Sequence, residues 1–477
     1  MNLLKRIPDR PAANWLIMLA MAAAIMMLLS RDSYLYLLGP RCDSAWFFMC
    51  GKAWMNGMVP YVDFADSKGP LLWLIYGVGY LLSHYDYHGV FWVSVVVYSF
   101  TFYFLFKTAR IFLESRSQAI LAVLMTSVVI FNPITHDETR AEDFGMFFTA
   151  LSLWQLCRIL YVEHTERDER IAFFAFGISL AGTLLIKYNI TAMCCIFPAI
   201  GLYYLLRERH NVWHPLLACV AGFAALALPF LICFLIQGNF SAFIQEYFIN
   251  TLQTIENIGT VYYSKVNKAL LSILILIITF LFSLKFDKYR WAIMVVVVYH
   301  VAIIYVTARY SYYFCSLMLF AVFVAILLVV FLHNHIFTLS VFTVITIVTI
   351  FVRMGYIIHT ADSYEITKKE EIVVKHLLEN EVNPRFVIRG MDKGIGITAG
   401  SLPACKYWTI QNGYTSDMDR NNMECILNKK CDYVVCGFDD FRGSMSREQF
   451  QDTIVAMGYK LIYTCNSGQE IYKAPCK

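Results

Sequence analysis

Charge is scarce in this chain. Only 16% of its 477 residues are Asp, Glu, Lys or Arg, 58% are hydrophobic, and the mean hydropathy is +0.56. Those values exclude a soluble domain of ordinary composition. The net charge of +4 is too small to imply an acidic polymer as partner. No helix-turn-helix or basic–aromatic pattern suggests nucleic acid. No glycine-rich loop of the kind that cradles nucleotide phosphates is present, which argues against a nucleotide-linked donor. No C-x-x-C pair occurs, so a zinc site in the C-terminal part is disfavoured against disulfides. The first apolar run lacks a clear small-x-small cleavage site and is not read as a signal peptide, although Lys5, Arg6 and Arg10 precede it. There is no internal repeat and no low-complexity tract.

What is abundant comes in blocks. Asn14–Ser30 is the first of a series of apolar runs, each near the roughly 20 residues a bilayer requires. Lipid satisfies no backbone group, so such runs must be helices. The fold class is therefore a polytopic α-helical membrane protein. Further spans are expected near 88–106, 118–131, 144–160, 171–186, 189–206, 214–236, 269–284, 291–306, 311–332 and 336–352, about eleven in all by the ~20-residue rule. Leu71–Ser83 is short and reads as a re-entrant or interfacial helix. Basic clusters mark the cytoplasmic ends: Lys5, Arg6 and Arg10; Lys107, Arg110 and Arg116; Arg158, Arg167 and Arg170; Arg207 and Arg209; Lys285, Lys288 and Arg290. This alternation puts the N-terminus inside, and places outside the loops 31–87, 132–143 and 237–267 and the C-terminal tail.

The tail, residues 353–477, has 16 Lys+Arg, 16 Asp+Glu and no further spanning block. Strand-like runs at Arg385–Arg389, Tyr433–Cys436 and Lys460–Thr464 alternate with helical stretches at Lys368–Asn380 and Ser446–Met457. Asn466-Ser-Gly468 suits a hairpin turn into Glu470–Lys473. The domain plan is a membrane domain over 1–352 and an external α/β domain over 353–477. Six of the 14 cysteines lie in that tail (Cys405, Cys425, Cys431, Cys436, Cys465, Cys476), a density that predicts at least one disulfide in an oxidising space. Cys42 and Cys50 share the first external loop and form another potential pair.

The stretch richest in chemistry is Asp43–Pro70, DSAWFFMCGKAWMNGMVPYVDFADSKGP. Charges held at a membrane surface are usually paired or bind something. A mere connection has no need of Asp43, Asp63, Asp66 and Lys68 so close to hydrocarbon. The pattern Asp43-Ser-Ala-Trp-Phe, then Gly57-x-x-Pro60-Tyr61-x-Asp63-Phe64-x-Asp66-x-Lys68-Gly69-Pro70, resembles the first external loop of bacterial GT-C glycosyltransferases. More narrowly it is similar to the protein-mannosyltransferase-like branch that includes lipid A sugar transferases. Thr139-Arg-Ala-Glu142-Asp-Phe144 resembles that family's acidic second loop, and Arg309-Tyr-Ser-Tyr312-Tyr313-Phe314 its R-Y-x-H-Y-F run. Tyr312 stands where the family often has His, so the role of that His does not carry over.

The resemblance implies an inverting-type enzyme of the bacterial inner membrane. Its donor would be a polyprenyl-phosphate sugar, and its acceptor an envelope glycan, lipid or protein on the external side. Such a reaction needs a carboxylate to take the acceptor's proton and cations to stabilise the departing phosphate. Asp43 is the candidate base, alone or with a divalent cation (Mg or Mn), and its bland reading is a helix N-cap. Asp66 and Glu142 are further catalytic candidates. Lys68, Arg309 and Lys187 are candidate phosphate ligands, with Asp137, Arg140 and Tyr61 as substrate contacts. Against these stand a snorkelling lysine, an aromatic-belt anchor and a solvated polar loop. Glu138 and Glu142 would share a helix face at i, i+4, where like charges repel and invite a cation or a sugar hydroxyl.

His333-Asn-His335 reads as a polar span end, and Asn189-Ile-Thr191 and Asn239-Phe-Ser241 as chance glycosylation triplets. Two rival functions stay open. A flippase or transporter of lipid-linked glycans predicts charges and broken helices near mid-membrane. A non-catalytic envelope scaffold leaves the acid-rich first loop without a purpose.

Overall fold

The computed structural model describes residues 10–36, 42–84, 86–132, 136, 138–208, 210–252, 277, 290–307, 311–332, 336–390, 394–398, 400–410, 416–437, 443–465 and 468–475. Among these, six helical stretches are long and apolar enough to cross a bilayer. They are α1 (Pro11–Leu29), α4 (His88–Phe112), α6 (Ala141–Tyr161), Tyr188–Arg207, α10 (Trp213–Ile236) and Tyr313–Leu332. Tyr188–Arg207 comprises α8 (Tyr188–Cys194) and α9 (Ile196–Arg207), which meet at Cys195.

Of the other expected spans, 269–284 lies outside the described residues except for position 277. Those at 118–131, 171–186, 291–306 and 336–352 fall on helices that are shorter, more charged or only partly apolar. One is α5 (Arg116–Ile130), whose 15 residues reach roughly 22 Å at 1.5 Å each. Another is α7 (Glu166–Leu184), which opens on a charged turn capped by Thr165. The short apolar helix read at 71–83 is present as α3 (Pro70–Leu82).

By packing, the chain divides into two compact units. The first comprises 1–30, 94–227 and 262–355, and the second 31–93, 228–261 and 356–477. Residues 356–477 thus share a unit with residues 31–93. The long helix Ile336–Leu377 runs through Arg353 without a break. Arg353 is buried within the helix, where its guanidinium donates to the His136 carbonyl at 2.8 Å. A charged residue marks a membrane border in sequence only while it has no partner to bury against.

Within the first unit α7 packs closely on α10 through glycines. A Cβ on Gly177 would stand 1.9 Å from the Cys219 carbonyl oxygen, and one on Gly222 would stand 2.1 Å from that of Phe174. Small residues at such crossings let helix backbones approach in place of a hydrophobic drive, which lipid does not supply.

In the second unit, α2 (Cys42–Met55) packs against α3. It also packs against a short helix at Gly394–Thr398 and the two-residue strand β2 (Leu402–Pro403). A five-stranded mixed sheet runs in the order β2-β1-β3-β5-β4. Here β1 is Arg385–Arg389, β3 Tyr433–Cys436, β4 Lys460–Thr464 and β5 Glu470–Lys473. β1 lies parallel to β2 and β3, while β5 is antiparallel to β3 and β4. β1, β3, β4 and β5 occupy the ranges read as strands from the sequence, whereas β2 is a strand the sequence did not indicate. The long strand residues Phe386, Val387, Ile388, Val434 and Val435 are all fully buried.

The disulfide expectation is corrected for the described tail cysteines: Cys405, Cys425, Cys431, Cys436 and Cys465 are free thiols, and Cys476 lies outside the described residues. Cys425, Cys431 and Cys436 pack in the apolar core with Phe450, Ile454 and Tyr459. They serve there as small apolar side chains. Cys50 is likewise a buried free thiol.

Candidate active site

The acid-rich stretch after α1 begins at α2, whose opening turn holds Asp43. Asp43 is therefore inside the helix rather than its N-cap, half-buried, with its charge near the positive end of the helix dipole. Phe47, one turn on and on the same face, carries the Lys68 ammonium over its ring, 5.6 Å from the centroid. Lys68 Nζ is 3.9 Å from Asp66 Oδ1 and donates to Ser67 Oγ at 2.9 Å. Asp43, Asp66 and Lys68 are thereby brought together.

Asp66 is the most constrained group of the three. Its Oδ1 accepts the Ser67 N–H at 2.6 Å and the Ser67 hydroxyl at 3.3 Å. Its Oδ2 is buried with no hydrogen-bond partner. Burial pushes its pKa above the usual carboxylate range; the Lys68 charge pulls it back and the Asp43 charge raises it further.

The backbone explains why the loop has this sequence. Gly57 sits at φ +83°, a conformation that favours glycine. Asp63 accepts the Val59 N–H at 2.7 Å and closes the turn. Tyr61 itself has φ +65°, and its ring is fully buried against Trp73 at 4.6 Å. Its hydroxyl donates to the Lys68 carbonyl at 3.1 Å. Tyr61, named from the sequence as a substrate contact, is thus buried with its hydroxyl engaged by the Lys68 backbone. Two further ties fix the loop: Ala65 N–H donates to the Lys406 carbonyl at 3.0 Å, and Asn239 Nδ2 donates to the Pro60 carbonyl at 2.9 Å.

The remaining described candidates lie in the first unit, at the start of α6. Glu142 is buried, and Lys187 Nζ lies 2.5 Å from its Oε1 and 3.8 Å from the centroid of the Tyr313 ring. Arg140 donates to Glu138 Oε1 through Nε at 3.0 Å and a terminal nitrogen at 2.8 Å. The expected Glu138/Glu142 helix face does not form. α6 starts at Ala141, so Glu138 is in the loop and each carboxylate has its own cation. Arg309 and Asp137 lie outside the described residues.

Sequence reasoning missed the group beside this pair. Asp143 takes the Arg140 N–H at 2.7 Å, the Tyr98 hydroxyl, and a contact from His136 Nε2 at 3.0 Å. The signal available was an acidic residue three positions after a helix start, where it satisfies an orphan N–H. Also missed was Glu246, which accepts from the Tyr407 hydroxyl at 2.8 Å and pairs with Lys406 at 2.5 Å. It lines a polar cleft with Asn250, Arg420 and Asn421. Nothing in the chain near Glu246 announces partners 160 residues away.

Residues 67–236 match the family described as dolichyl-phosphate-mannose-protein mannosyltransferase. The whole fold is similar to ArnT from Cupriavidus metallidurans in the apo state, with a TM-score of 0.64 at 10% identity over 98% of this chain and 100% of that one. The chain thus has an ArnT-like fold, and its likeness to the GT-C glycosyltransferases of the protein-mannosyltransferase-like branch is one of fold. The same ArnT bound to undecaprenyl phosphate gives a TM-score of 0.64 at 9% identity, over 98% of this chain and 99% of that chain. No curated protein matches the sequence. The six apolar helical stretches long enough to cross a bilayer, together with this fold, mark a multi-pass membrane protein. The family match includes Lys68, Glu142 and Lys187, and begins after Asp43 and Asp66.

Proposed function

We propose that the protein is an integral-membrane glycosyltransferase. It would move a sugar from a polyprenyl-phosphate donor to an envelope glycan, lipid or protein on the external face of a bacterial inner membrane. The observation that carries this reading is Asp66: a buried carboxylate with one unpartnered oxygen, coupled to Asp43 and facing Lys68. Burial, with the Asp43 charge adding to it, raises the Asp66 pKa, so its ionised form is a stronger base than a free carboxylate.

In the proposed reaction the acceptor's oxygen attacks the anomeric carbon while its proton passes to the Asp43/Asp66 pair. The bond from that carbon to the phosphate oxygen breaks, and the polyprenyl phosphate leaves with the electron pair. One displacement inverts the anomeric centre. Lys68 supplies positive charge where charge grows on the phosphate. From the sequence, Lys187 and Arg309 are further candidate phosphate ligands. The unpartnered Asp66 Oδ2, with Asp43, also fits a divalent cation such as Mg or Mn, which would supply charge neutralisation for the phosphate. The undecaprenyl phosphate in the ArnT structure supports a polyprenyl donor by likeness of fold.

The test is a comparison of lipid-linked sugars and envelope glycans between a deletion strain and its parent. The expected result is accumulation of one polyprenyl-phosphate sugar together with loss of that sugar from one envelope component. Unchanged profiles of both would overturn the proposal. A transporter would instead leave the sugar joined to its lipid on the inner face.

A further inference from the structure

α6 is 21 residues long, so its two ends are roughly 30 Å apart at 1.5 Å per residue. Glu142 is at one end; just past the other lies a cluster that the proposed transfer chemistry does not use. His164 follows α6, Glu169 is in the first turn of α7, and His210 is in the link between α9 and α10. Their donor atoms all lie within 4.8 Å of one another. His210 Nδ1 is 2.6 Å from Glu169 Oε1, and His164 Nε2 is 3.3 Å from the same oxygen.

The proton positions make this cluster unusual. His164 Nδ1 is 2.8 Å from the Val162 carbonyl, which can only accept, so Nδ1 carries the hydrogen. In the neutral ring Nε2 then has a bare lone pair. That nitrogen is buried, makes no hydrogen bond, and faces a carboxylate oxygen that is also an acceptor. The His164 side chain is only 8% exposed and that of Glu169 only 2%. Two buried acceptors facing each other repel unless a cation lies between them, either a proton on Nε2 or a metal ion. A ring nitrogen fixed by a carbonyl on its other side is the usual arrangement of a metal-ligating histidine.

We propose that His164, Glu169 and His210 bind one divalent transition-metal ion of the zinc class, with two imidazoles and one carboxylate as ligands. Tetrahedral zinc holds such donors at about 2.0–2.2 Å, and hence roughly 3.4 Å from one another. The present separations reach that with small side-chain rotations. His210, with its side chain 40% exposed, gives the ion a route in and leaves a coordination position for water. The ion would clip together the α6–α7 link, the start of α7 and the α9–α10 link, which makes it structural and separate from sugar transfer.

The test uses full-length protein without a polyhistidine tag, in detergent, stripped with chelator and titrated with ZnCl2 by calorimetry. Co(II) is substituted in parallel to read coordination from its visible spectrum. Wild type should bind one equivalent, show the absorption of a four-coordinate N2O-type site, and gain thermal stability with zinc. His164→Ala and Glu169→Gln should each lower affinity at least about 100-fold, beyond the loss usual for second-shell changes. His210→Ala, altering the most exposed ligand, tests the same point should the buried variants fold poorly. Absence of zinc binding by wild type would overturn the proposal and leave a histidine–carboxylate network. Binding that persists in His210→Ala with the same affinity and Co(II) spectrum would also overturn it.

Discussion

The buried Glu142–Lys187 pair gives a prediction that separates folding from function. The two side chains are 4% and 9% exposed, with Nζ and Oε1 2.5 Å apart. Removing one member leaves the other as an uncompensated buried charge, at a cost of about 3–5 kcal/mol. Spread over an unfolding entropy near 2.1 cal/mol/K per residue, that lowers the melting temperature by about 3–5 °C if the chain melts as one unit. Lys187→Met alone and Glu142→Gln alone should each show such a loss by fluorescence-detected unfolding in detergent. The double variant should recover most of it, because two apolar or neutral groups of similar volume replace a buried ion pair almost neutrally. Transfer activity then reports function independently. A double variant that is stable yet inactive assigns Lys187 or Glu142 to the reaction, and one that is stable and active makes the pair purely structural. Additive losses in the double variant, with no coupling between the two sites, would refute the reasoning from burial.

Three other predictions follow from particular groups. If Asp66 is ionised when it accepts the proton, activity rises with pH through its raised pKa. Lys68→Gln removes the charge that pulls this pKa down, so the acid limb of the pH–rate profile should move to higher pH. Lys52 is buried in α2, and burial lowers its pKa to about 8. The folded pKa lies below the unfolded one near 10.4, so the penalty is absent at high pH, grows as pH falls from about 10 to 8, and is then constant. Lys52→Met should thus stabilise at pH 7 by on the order of 3 kcal/mol, and the gain should shrink above pH 9 in melting curves. Gly177→Val should cut the yield of folded protein in size-exclusion profiles, since even a Cβ would meet the Cys219 carbonyl oxygen at 1.9 Å. Normal yield would refute the close α7–α10 crossing.

Local patterns were legible and distant pairings were not. The apolar blocks announce helices because lipid leaves no alternative, and β1, β3 and β4 show as short alternating runs with β-branched residues. The first loop stood out because Asp43, Asp66 and Lys68 are too many charges for a simple connection, and they do gather. Pairing across sequence was hidden. Glu142 and Lys187 are 45 positions apart, and Tyr407 is 161 from Glu246. Tyr61 looked available because a motif tyrosine usually presents its hydroxyl, whereas a positive φ turns this one inward to the Lys68 carbonyl. Arg353 looked like a border because composition changes there, yet the helix carries it to a backbone carbonyl that satisfies it. The tail cysteines suggested cross-links by number alone. The core instead uses three of them as small apolar side chains.

The central claim is that the Asp43/Asp66 pair performs sugar transfer from a polyprenyl phosphate. The most direct measurement is transfer of labelled sugar from polyprenyl-phosphate donors in proteoliposomes, comparing wild type with Asp43→Asn and Asp66→Asn. Both substitutions keep size and remove the charge, so the variants should fold and insert as wild type does. The account predicts a fall in rate of roughly 10²–10⁴-fold in each, the range a general base contributes. Wild-type rates in both variants would contradict it.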